Sequence, residues 1–119
     1  MTTTATTTRI LDPRHHEPRE GTQTPWGPAQ YIDPIAPGVV FAGTAGHGGV
    51  WVHPELFYRV RIVAARYPGA AHLVSSGRRR WFEEDCEAAL VVLAFPEHHD
   101  PRQVAHAELS AAHWYGGAR

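Results

Sequence analysis

The chain has 119 residues, 43% of them hydrophobic, with 11 basic side chains that are all arginine, 12 acidic ones and a formal charge of −1. That is apolar surface enough for one core, while the near-neutral balance excludes a polybasic nucleic-acid coat and an acidic mimic of DNA alike. Its only cysteine, Cys86, excludes an internal disulfide and a cysteine-rich zinc cluster.

Residues 1–25 hold eight of the nine threonines and three prolines, with only Ile10 and Leu11 as sizeable aliphatics. Such a segment cannot bury enough surface to order itself. It reads as an extended N-terminal arm, suited to binding a partner or a second copy of the chain, and its removal is expected to leave thermal stability nearly unchanged. A single domain is expected over residues 26–119, opened by Trp26-Gly27-Pro28.

Glycine and proline then punctuate the chain at intervals suited to short strands. Strands are expected at 29–32, ended by Pro34, at 39–44 and at 50–53. Ala45-Gly46-His47-Gly48-Gly49 would form a hairpin loop whose glycines supply positive φ. Pro54 and Glu55 suit the first turn of a helix over 54–67, on which Leu56, Val60, Val63 and Tyr67 recur at helical spacing until Pro68-Gly69. The apolar run 70–74 fits a fourth strand and leads into the loop Ser75-Ser76-Gly77-Arg78-Arg79-Arg80. Glu83-Glu84-Asp85 reads as the acidic first turn of a second helix, 83–95, stopped by Pro96, with a strand over 89–95 as the rival. Asp100-Pro101 is an N-cap followed by a first-turn proline, opening a last helix over 100–115 that ends at Gly116-Gly117. The expected fold is α+β: a small antiparallel sheet of about three strands within 29–53, packed against three helices.

Three stretches carry a resemblance: Thr24-Pro25-Trp26-Gly27-Pro28-Ala29-Gln30, then Thr44-Ala45-Gly46-His47-Gly48-Gly49, then Trp81-Phe82-Glu83-Glu84-Asp85-Cys86 running on to Ala94-Phe95-Pro96. In that order and at these spacings they resemble a family of small uncharacterised proteins carried by bacteriophages, notably those of actinobacteria, and by plasmids. The resemblance covers about residues 24–96 and brings no catalytic residues with it. It implies an accessory gene whose product acts inside the host cell on a host protein, a nucleic acid or a signalling nucleotide, including those of host immunity.

The residues themselves suggest where such a ligand would sit. His47, between Gly46 and the pair Gly48-Gly49, suits a loop at which backbone N–H groups approach an anion; the same residues equally suit a plain hairpin turn. Arg78, Arg79 and Arg80, preceded by two hydroxyls and a glycine, have the ingredients of a phosphate-binding loop without a Walker ending. Trp81 beside them offers a stacking platform for a base. Glu84 and Asp85 can join His47 for acid/base work or a divalent cation, or serve with Glu83 as helix-dipole partners and counter-ions to the arginines. The histidine spacings argue against structural zinc, since His15-His16 and His98-His99 are adjacent pairs and no His-Glu-x-x-His occurs. Cys86 reads as a small apolar thiol rather than a nucleophile.

The function expected from these residues is a noncatalytic binding module without metal or cofactor. It would act on a host protein or a small nucleotide-type ligand through Gly46, His47, Gly48, Gly49, Arg78, Arg79, Arg80 and Trp81. Nucleic acid is a less favoured partner, and a homo-oligomer through the arm is a further expectation. The alternative is a small metal-assisted or acid/base hydrolase using His47 with Glu84 and Asp85. The N-terminus lacks an apolar signal core, and the apolar run 88–95 is too short to span a bilayer, so a soluble protein of the bacterial cytoplasm is expected.

Overall fold

The computed structural model describes residues 10–116. Its first regular element is a two-stranded hairpin, β1 (Gln23–Thr24) with β2 (Gly27–Pro28). The chain then enters a four-stranded antiparallel sheet of β3 (Tyr31–Ala36), β4 (Val39–Gly43), β5 (Gly48–Val52) and β6 (Trp81–Glu83), in that spatial order. Between β5 and β6 lie α1 (Phe57–Ala64) and α2 (Ala71–Val74), and after β6 come α3 (Ala88–Ala94) and α4 (Pro101–Tyr115). The architecture is α+β.

Strand alternation gives the sheet two different faces. Register places Val39 opposite Val52, Phe41 opposite Val50 and Val50 opposite Phe82, so these side chains share one face. That face packs on Val60 and Val63 of α1, Leu90 and Val91 of α3, and Ala107 and Ala111 of α4, which together form the main core. Val40, Ala42, Gly49, Trp51 and Trp81 share the opposite face.

Residues 10–30 cover that second face. The ring of His53, 1% exposed, accepts the Glu55 backbone N–H at Nδ1 (3.0 Å) and therefore donates through Nε2 to the Asp12 carbonyl (3.0 Å). The Asp12 N–H donates to Glu55 Oε2 at 2.8 Å, and the Gly38 N–H to Glu17 Oε2 at 2.6 Å. Gly38 has φ +82, a conformation that favours glycine, and a Cβ there would also have to push aside the tip of Leu11. The described part of the segment read as an arm, residues 10–25, thus lies on the sheet; residues 1–9 are outside the described residues. Composition hid this because each attaching bond pairs a side chain with a backbone group far away in the chain. At about 1 kcal/mol for each such hydrogen bond, removing residues 1–23 is expected to lower the midpoint of thermal unfolding by several degrees. An unchanged melt would show that the segment is not a working part of the fold.

Several expected elements fall elsewhere. The first sheet strand is 31–36 rather than 29–32, and Pro34 lies within it, where an edge strand tolerates the missing donor. β5 begins at Gly48, so two of the loop glycines belong to a strand. Residues 70–74 are helical and not a strand: their buried positions, Ala70, Leu73 and Val74, fall at helical spacing. Glu83-Glu84-Asp85 does not open a helix. Trp81–Glu83 pairs with β5 as the fourth strand, 84–87 is a turn, and α3 starts at Ala88. The last helix is as expected: Asp100 Oδ1 accepts the Gln103 N–H at 2.9 Å, Gln103 Oε1 accepts the Asp100 N–H at 2.9 Å, and Gly116 caps the other end. Among the described residues, no helix is long and apolar enough to cross a membrane.

Candidate functional site

The tight β1–β2 turn is organised by Thr24, whose Oγ1 donates to the Gly27 carbonyl (2.7 Å) and accepts the Trp26 N–H (3.1 Å). This projects the Trp26 indole onto Gly49 of β5. A Cβ on Gly49 would overlap that indole and stand 2.5 Å from the Phe82 carbonyl oxygen. Trp81, opposite Trp51 across β5 and β6, meets Trp26 edge to face, with ring centres 5.8 Å apart and planes at 89°. The three stretches quoted above therefore converge on one corner of the sheet.

At that corner is a cleft of about 360 Å³, walled by Pro25, Trp26 and Trp81 and lined by Arg79, Arg80, Glu83 and Glu87. The two arginines differ in what holds them. Arg79 donates through Nε to the Leu73 carbonyl (3.1 Å) and pairs through Nη1 with Glu87 Oε1 (3.2 Å). That same oxygen accepts the Glu83 N–H at 3.0 Å. Arg80 donates through Nη1 to the carbonyls of Gly77 (3.4 Å) and Arg79 (3.1 Å), and among the described residues it has no carboxylate partner. Its Nε and Nη2 donors remain available to a ligand.

Of the other expected site residues, Gly49 lies under the Trp26 wall and the rest lie outside the cleft lining. Arg78 is exposed and outside its lining. His47 and Gly46 are exposed at the β4–β5 turn, which Thr44 holds by donating through its N–H (2.7 Å) and Oγ1 (2.8 Å) to the His47 carbonyl. The positive-φ glycines of the described chain are Gly21, Gly27, Gly38, Gly77 and Gly116, so the loop glycines do not have the conformation expected of them. Gly48 and Gly49 are instead required by close packing. The Glu84 N–H donates to the Gly48 carbonyl at 3.0 Å, and a Cβ on Gly48 would lie 2.7 Å from Glu84 Oε2. Glu84 and Asp85 line a separate groove of about 380 Å³ against α4, with Arg102 and His106. His47 lines neither this groove nor the neighbouring one that Glu84 shares with His98 and His99. Among the described residues, no group of three or more His, Cys, Asp or Glu side chains is placed to hold a metal ion.

Residues 19–118 match the family described as a domain of unknown function, DUF7007. The chain belongs to this family. No curated protein and no solved structure matches the chain. The DUF7007 match takes in the β1–β2 hairpin, the whole sheet, α4 and every residue of the tryptophan cleft. It also begins inside the segment that composition alone sets apart as an arm.

Elsewhere in the DUF7007 domain, Arg59 reaches across from α1 to Glu97 with two hydrogen bonds of 2.8 Å and holds that carboxyl below the usual range. Burial pushes the Tyr115 hydroxyl up, and the neighbouring Cys86 thiol adds to that shift. Arg79, Arg80 and Trp81 are candidate ligand residues already in the sequence, and the structure adds Pro25, Trp26, Glu83 and Glu87 to the lining of their cleft. The trace of Trp26 is Gly49, a strand glycine that marks a close approach from elsewhere in the chain, and it was not usable in the sequence because the run of glycines there reads as a hairpin loop.

Proposed function

We propose that this DUF7007 protein is a small accessory protein of phage or plasmid type, a noncatalytic binding module that acts in the host cytoplasm on a nucleotide-type ligand and serves to blunt a host defence. The observation that carries the proposal is the cleft, where two indoles and one unpaired guanidinium line the same volume. An indole face is sequence-tolerant ground for a base and contributes about 1–3 kcal/mol per stacked base. A free guanidinium adds a charge-assisted contact to phosphate. The volume, about 360 Å³, falls in the range of small-molecule sites. A long nucleic acid is less well served, because the chain carries a formal charge of −1 and the cleft contains only one arginine without a carboxylate.

The test is a calorimetric titration of the full chain with nucleoside monophosphates. Saturable binding is expected, weakened tenfold or more by Trp81→Ala and by Arg80→Gln, and left unchanged by Arg78→Gln, which removes an arginine outside the cleft. Circular dichroism would confirm that each variant is folded. The reading fails if no nucleotide binds, or if folded Trp81→Ala and Arg80→Gln bind as the parent does.

A further inference from the structure

The cleft also contains two carboxylates, and they are not equivalent. Glu87 is engaged at Oε1 by both Arg79 and the Glu83 N–H. The only hydrogen-bond partner of the Glu83 carboxylate among the described residues is the Cys86 thiol, with Sγ 3.8 Å from Oε1, and a thiol is a weak donor. Glu83 is also half-buried, so a ligand there competes with less water than on open surface.

A carboxylate has two acceptor oxygens and no donor. Guanine presents two adjacent donors on its Watson–Crick edge, N1–H and the 2-amino group, and so matches both oxygens at once. Adenine and cytosine set one amino donor beside a ring nitrogen that is an acceptor, and uracil sets its one donor between two carbonyls. Each of those three puts a lone pair against a carboxylate oxygen. The lining charges point the same way for the rest of the ligand. Arg79 and Arg80 are balanced by Glu83 and Glu87, which leaves room for one phosphate at Arg80 and disfavours a polyphosphate beside two carboxylates.

We propose that the ligand of this cleft is a guanine nucleotide with a single phosphate, its base stacked on the Trp81 indole and edge-on to the perpendicular Trp26 indole, its N1–H and 2-amino groups on Glu83, and its phosphate on Arg80. The proposal rests on the nucleotide-binding reading above and narrows it. Stacking is indifferent to the base, so discrimination falls to Glu83.

Isothermal titrations of the full chain with GMP, IMP, AMP, CMP, UMP and GTP test it. GMP is expected to bind at least tenfold tighter than AMP, CMP or UMP, and tighter than GTP. IMP, which keeps N1–H and lacks the 2-amino group, is expected between GMP and AMP. Glu83→Gln replaces one acceptor by a donor and is expected to erase the preference for GMP over AMP. Equal affinity for GMP and AMP, a preference that survives Glu83→Gln, or GTP binding as tightly as GMP would overturn the guanine monophosphate assignment while leaving the cleft a nucleotide site. No binding of any of the six would overturn the nucleotide-binding reading as well. The nucleotide series needs no variant, so the assignment stays testable even if Glu83→Gln does not fold.

Discussion

Replacing Phe82 by alanine is expected to destabilise the protein by about 3–5 kcal/mol, the range for removing a fully buried phenylalanine. Phe82 is 0% exposed and lies at the centre of β6, paired with Val50 and packed on Phe57 with ring centres 6.3 Å apart. β6 is three residues long and pairs on one side only, with β5, so its place in the sheet depends on this ring as much as on its backbone bonds. A small domain has about 5–15 kcal/mol of stability in total, and such a loss would bring it close to unfolding at physiological temperature. Trp81 and Glu83 flank Phe82 on the opposite face, so nucleotide binding should disappear together with the strand. Urea unfolding followed by circular dichroism measures the first effect. A loss under about 1 kcal/mol would mean that the ring does not fill the core as described.

Gly49→Ala is expected to have the next largest effect, about 1–3 kcal/mol, the range for forcing extra volume into a packed site. The added methyl would meet two obstacles, the Trp26 indole and the Phe82 carbonyl at 2.5 Å. The second is backbone of the partner strand and cannot swing aside as a side-chain tip would. Lifting Trp26 should relieve the first obstacle, opening the cleft and moving tryptophan emission to the red, while the second remains as the cost to the β5–β6 pairing. Gly46→Ala is the control. Nothing lies within 4 Å of a Cβ there and its backbone angles are ordinary, so its melting temperature should stay close to that of the parent. Equal melts for the two variants would show that Trp26 does not rest on Gly49.

The last helix and the central strands were legible because their signals are local. Asp100, Pro101, Gln103 and Gly116 mark the ends of α4 without reference to any other segment, and the β-branched run from Val39 needs only its own pattern. β6 was not legible. Trp81-Phe82-Glu83 followed by two further acids looks like the entrance to a helix, and only pairing with β5, a segment far away in the chain, makes it a strand. The cover of residues 10–25 was hidden for a related reason: each of the bonds from Asp12 and Glu17 to His53, Glu55 and Gly38 joins a side chain to a backbone group distant in the chain, a pairing that composition does not report. The site was half legible. Arg79, Arg80 and Trp81 stand together in the sequence, whereas Trp26 reaches them only through the fold.

The cleft as ligand site is tested most directly by the indole N–H resonances of the four tryptophans in a nitrogen-15 labelled sample titrated with GMP. Trp26 and Trp81 form the cleft walls, Trp51 is packed against His53, and Trp114 is exposed on α4 beside His113. Saturable shifts of the Trp26 and Trp81 signals, with the Trp114 signal unmoved, are the expected result. Saturable shifts of Trp114 with Trp26 and Trp81 unmoved, or no saturable shift at any indole, would contradict a ligand site at this corner of the sheet.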